Sequence, residues 1–250
     1  MIINKKVISI KDVKSEEQPR IATGLIRLDD FLNGGFVQGQ CILLGADPGA
    51  GKSTSTTQIA TRFCDLGYTV LYFSGEESLG QIKLRADRLG ANRANFFCTE
   101  ILELNEMKDI IEQVNPKLII VDSMPMMFDN TVEGTTGSDK QIKESMLKFT
   151  KYIKKTNRIT IVIGHANKGG ALAGLLKLQH MVDSTFYIKV FNHMRTLTII
   201  KNRFGPDSNE LPLTMSKQGF RELQIGVKSI QVEQEKSLPA HIIKMLVGLG

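Results

Sequence analysis

The stretch "GADPGAGKST", Gly45 to Thr54, follows an apolar run, "CILL" (41–44), and leads into residues of helical composition. A buried strand, a glycine-rich turn and a helix opening on Lys-Ser together wrap a polyphosphate. From Ala46 the loop reads Asp47, Pro48, Gly49, Ala50, Gly51, Lys52, Ser53 and Thr54. Gly49 and Gly51 let backbone N–H groups curl round phosphate oxygens, and Lys52 reaches the terminal phosphates. Ser53 offers a hydroxyl to magnesium, and the helix start adds the positive end of its dipole. Ala46 stands where glycine is commoner. The loop predicts a site for ATP with Mg2+.

Outward from the loop, short continuous apolar runs alternate with helical stretches. "TVLYFSG" (69–75) precedes the helical "QIKLRADRLG", and "NFFCTE" (95–100) leads to a helix around 106–114. "KLIIVDS" (117–123) follows Pro116, a lysine-rich helix runs to about Thr156, and "ITIVIGH" (159–165) comes next. Short β-branched runs of this kind read as parallel strands buried on both faces. "STFYIKV" and "TLTIIKN" flank "FNHMR", which predicts an antiparallel hairpin near the C-terminal end. The expected fold is α/β, a mostly parallel central sheet flanked by helices. Residues 1–20 read as an N-terminal arm, and 224–250 as a tail or short docking helix.

Strand ends on the loop's edge supply the remaining candidates, because open α/β sheets bind ligands there. Asp122 ends "LIIVD" and can hold magnesium with Ser53. Glu76 and Glu77 follow the second strand; Glu76 is the candidate base for an attacking water, and Glu77 a charge favouring the helix start. His165 ends "ITIVIGH" and is the candidate γ-phosphate sensor.

At 250 residues and 42% hydrophobic, the chain can bury one good core, with no apolar run long enough to span a membrane. Its start lacks the apolar block of a secretory signal. Cys41, Cys64 and Cys98 are scattered, with no CxxC pair for zinc, and read as reduced core residues of a cytoplasmic protein. Lys140 to Arg203 holds thirteen Lys/Arg against Glu144 and Asp183, a local +11 that leaves −5 elsewhere in a chain of net +6. That asymmetry favours a polyanion, most simply nucleic acid. In the lysine-rich helix seven cations, from Lys140 to Arg158, span an arc of about 140° opposite Ile142, Met146, Phe149 and Ile153. A solvated basic face and an outer DNA contact both fit.

The motifs in order resemble the ATPase core of the RadA (Sms) family of bacterial DNA repair and recombination proteins, within the RecA superfamily. The matching stretches are "RIATGLIRLDDFLNGGFVQGQ", "GADPGAGKST", "LYFSGEES", "IIVDS", "GHANKGGALAGLLKLQHMVDSTFYI" and "KNRFG", the family's signature. The resemblance implies a RecA-like domain over 21–223, ATP hydrolysis, and a hexameric ring, with an open filament as the other geometry. It implies branch-migration or helicase action on single-stranded or branched DNA. An ATP-switched recombinase, annealing factor or mediator is the alternative, and a DNA-independent signalling ATPase a third. Lys201 and Arg203 would act on the adjacent subunit's nucleotide. Segments 124–140 and 166–177, with Lys140, Lys168 and Lys177, would line the DNA path. The sequence departs from the family in lacking its four-cysteine zinc finger and Lon-protease-like domain.

Overall fold

A computed structural model describes residues 9–13, 19–164, 178–192, 194–207 and 210–222. One sheet of nine strands organises them. In sequence these are β3 (Cys41–Ala46), β4 (Val70–Ser74), β5 (Phe96–Thr99), β6 (Leu118–Asp122), β7 (Ile159–Ile163), β8 (Ser184–Phe191), β9 (Met194–Asn202), β10 (Glu210–Ser216) and β11 (Gly219–Glu222). Their order across the sheet is β11-β10-β9-β8-β3-β7-β6-β4-β5. From β8 to β5 neighbouring strands run parallel; from β8 to β11 every pair is antiparallel. Two short strands, β1 (Arg20–Ile21) and β2 (Phe36–Val37), pair separately.

The central strands are apolar on both faces, and each face builds its own core. Ile42, Leu44, Val70 and Tyr72 join Phe63 of helix α2 (Lys52–Asp65) and Leu28 of α1 (Ile26–Phe31). Cys41, Leu43, Leu71 and Phe73 join Met107 of α4 (Leu104–Val114) and Phe149 of α5 (Asp139–Ile153). Burial pushes the Cys41 thiol up to about 12, with Asp183 adding to it, so it stays a neutral core residue.

The hairpin expected near the C-terminal end is present as β8–β9, and it continues into two strands not read from the sequence, β10 and β11. Pro212 fits because it pairs only with β9, through Thr196; β11 joins β10 one residue later, at Leu213. Arg20, at the boundary expected for the arm, is pinned into the fold: its guanidinium donates to Leu32 O (2.6 Å) and Phe204 O (2.6 Å). Among the described residues no helix is long and apolar enough to cross a membrane.

Part of the basic face along α5 is engaged in ion pairs. Lys148 bonds Asp129 at 2.7 Å, Lys154 pairs with Asp183 at 3.4 Å, and Lys140 pairs with the exposed Glu133 at 3.1 Å. Asp129 is buried, which alone would raise its carboxyl; donation from Lys148 and Thr131 outweighs that and holds it at about 2. In the segment after β6, Met124 and Met127 are buried and Met126 is exposed, so two of these methionines pack beneath the loop.

Candidate nucleotide site

The loop between β3 and α2 has the backbone that its glycines require. Gly49 and Gly51 have φ of 70° and 102°, where L side chains are strained, and α2 begins directly at Lys52. A Cβ on Gly51 would lie 2.3 Å from Met215 Cε and 3.0 Å from Phe220. The β10–β11 hairpin therefore closes over the loop, and glycine is needed for space as well as conformation.

The antiparallel strands also grip the loop by hydrogen bonds. Asp47 Oδ1 accepts from the Tyr187 hydroxyl and Oδ2 from Val190 N, both at 2.8 Å, while Asp47 N donates to Ile188 O at 2.9 Å. Burial and the Asp47 carboxylate push the Tyr187 phenol above its ordinary value, so it remains a donor. Arg195 Nε donates to Ala50 O at 3.0 Å. Gln58, nearly two turns into α2, pairs through its amide with Phe220 N (2.7 Å) and Phe220 O (3.1 Å), as a neighbouring strand would.

The groups expected for magnesium and water meet at the C-terminal ends of β4 and β6. Ser53 Oγ donates to Asp122 Oδ2 at 2.8 Å, a hydroxyl and a carboxylate converging on one point. Hard oxygen donors on a nearly buried carboxylate suit Mg2+, so the residues present fit that ion. Tyr72 also donates to Asp122 Oδ2. Burial, then the Asp122 charge, raises its phenol well above the ordinary range. Sequence reasoning missed Tyr72 because a tyrosine inside "VLYFS" looks like core.

The two adjacent glutamates are separated by their partners. Glu77 receives Arg85 NH1 at 2.7 Å, and Arg85 Nε reaches Thr57 Oγ1 at 3.1 Å. Glu77 therefore ties α3 (Leu79–Arg88) to α2, while Ser78 caps α3 in a box with Gln81. Glu76 is exposed, and its Oε1 accepts from buried Ser123 Oγ at 2.6 Å. Ser123 directly follows Asp122, so Glu76 is held from the β6 end.

Lys201 and Arg203 lie at the other edge of the sheet. Ala46 pairs with Ile188 and Ile188 with Leu197, whereas Asn202 pairs with Ser184, at the start of β8. Lys201 is thus four residues, or about 13 Å, from the loop's level. Its ammonium donates to Gln179 O (2.7 Å) and Val182 O (2.6 Å). Burial, then neighbouring Arg203, lowers its pKa. Arg203 pairs with Asp183 at 3.2 Å and keeps half its side chain exposed. Lys140 is exposed at the start of α5. His165, Lys168 and Lys177 lie outside the described residues.

A family model described as "AAA domain" matches residues 17–171. The chain is 38% identical over 230 residues to the DNA repair protein RadA of Halalkalibacterium halodurans, covering 91% of this chain and 50% of that protein. RadA of Aquifex aeolicus is 37% identical over 219 residues (87% and 49%), and RadA of Bacillus subtilis 36% over 223 residues (88% and 48%). The chain thus spans about half the length of these relatives. Among solved structures, a KaiC-like protein of Pyrococcus horikoshii superposes with a TM-score of 0.69 at 17% identity, covering 83% of this chain and all of that one. That likeness extends to the fold.

Proposed function

The chain belongs to the AAA domain family, and from that premise we propose that it hydrolyses ATP as an oligomeric motor on single-stranded or branched DNA in recombination, repair or replication. In this reading the loop 46–54 binds the phosphates, and Lys52 sets the terminal ones. Ser53 and Asp122 hold Mg2+, oriented by the Tyr72 hydroxyl. Bound there, magnesium would offset the negative charge of the phosphates. Glu76, aimed by Ser123, orients the attacking water and takes its proton. His165 senses the γ-phosphate, and Lys140, Lys168 and Lys177 contact the DNA backbone.

Support for a shared active centre comes from one observation: the Lys201–Arg203 corner sits on the edge of the sheet opposite its own loop. It cannot serve its own nucleotide, and its half-exposed Arg203 is placed to serve that of an adjacent copy, in a hexameric ring or a filament. A cation acting on a neighbour's γ-phosphate is worth about 10³- to 10⁵-fold in rate. The test is ATPase rate against protein concentration, with and without single-stranded and forked DNA, for the wild type and Arg203→Ala. We expect specific activity to rise with concentration and DNA. Arg203→Ala should lose at least about 10³-fold of it while binding ATP normally. Full turnover by a dilute monomer would refute the shared centre.

A further inference from the structure

We propose that Asp183 is the positioning residue of Arg203, an inference that rests on the trans-acting reading above. Asp183 grips Arg203 twice: Oδ1 takes Arg203 NH1 at 3.2 Å, and the main-chain oxygen takes Arg203 N at 3.1 Å. It is itself locked to the start of β3. Oδ2 accepts from Cys41 N at 3.0 Å, and Asp183 N donates to Cys41 O at 2.9 Å. Lys154, from the end of α5, adds a second cation at 3.4 Å.

A carboxylate with a side chain only 7% exposed is costly to bury unless paired and hydrogen-bonded. Such a pair adds little to net stability compared with well-packed apolar residues. Its distinctive effect here is geometric, because the guanidinium is held from one side while half of Arg203 stays exposed. Lys201 is occupied differently. Its bonds to Gln179 O and Val182 O brace the turn leading into Asp183. On the far side, Arg20 holds Phe204 O at 2.6 Å. The corner is fixed on both flanks, with Arg203 as the cation offered outward and Asp183 as the group that aims it.

Subunit mixing tests this. Asp183→Asn keeps shape and can still accept from Cys41 N, but its amide then faces the guanidinium as a donor. Alone, it should fold and bind ATP as the wild type does while kcat falls about 10- to 100-fold, the scale of a small misplacement. Mixed with Lys52→Ala, whose Arg203 corner is intact and whose loop is crippled, it should recover turnover well above the sum of the two. The Arg203→Ala and Lys52→Ala mixture is run beside it. Recovery there without recovery for Asp183→Asn overturns the positioning role and leaves the shared centre standing. Recovery in neither overturns both. If Asp183→Asn does not fold, Asp183→Glu, with the same charge one methylene further out, carries the same test.

Discussion

The parallel and antiparallel halves of the sheet do different work. The parallel strands β4 and β6 bring the candidate site oxygens of Glu76 and Asp122, with Ser123 beside them, to one edge. The antiparallel strands β8–β11 deliver support: they clamp Asp47, Ala50 and Gly51 at that edge and present Arg203 at the other. Chemistry and geometry are thus supplied by separate parts of one layer. Damage to the first half should appear in the rate at a subunit's own site; damage to the second should appear in stability at the clamp on the loop, and in the rate of a neighbour's site at Arg203.

Glu76→Gln should test that division hardest. The amide can still accept from Ser123 but cannot take a proton, so single-turnover hydrolysis should fall about 10²- to 10⁴-fold at unchanged ATP affinity. A surviving rate would move the water-activating group elsewhere. Tyr72→Phe is expected to act more mildly. Without its hydroxyl Asp122 loses an orienting donor, and the Mg2+ concentration for half-maximal turnover should rise about 10-fold, the low end for supporting groups of a metal site. Gln58→Ala probes the other half and should be smallest. It leaves Phe220 N and O without their partner and should cost about 1–2 kcal/mol, read as a lower melting temperature, with the hydrolytic step on bound ATP little changed. A large loss in that step would mean that the hairpin contributes to the chemistry itself.

Much of the parallel half was legible because its strands are unbroken apolar runs ending in polar residues, and because the loop's residues are adjacent in sequence. Lys52, Ser53, Asp122 and Glu76 stand out as candidates from such local patterns. The antiparallel half was harder. "ELPLTMS" contains a proline and "GFRE" is only four residues long, so neither carries a strong strand signal, although Leu211, Leu213 and Met215 alternate. The supporting bonds were hidden for another reason: Tyr72 meets Asp122 across 50 positions, and Gln58 meets Phe220 across 162. No local pattern encodes such pairings. Cation spacing marked α5 as a basic face, but only the fold revealed that Lys148 and Lys154 serve buried carboxylates. Lys201 and Arg203 were singled out by resemblance to a family, and strand register then put them out of reach of their own loop.

The six residues Cys41–Ala46 carry the phosphate loop at one end and hold Asp183 at the other. In an assembly of copies, the interval from a subunit's own nucleotide to the cation it extends towards the next is therefore ruled by a central strand of roughly 17 Å. Such a spacer neither stretches nor folds. If copies share their sites as proposed, a rigid spacer would favour pivoting of whole subunits, and the work of hydrolysis would emerge as rotation at the joints.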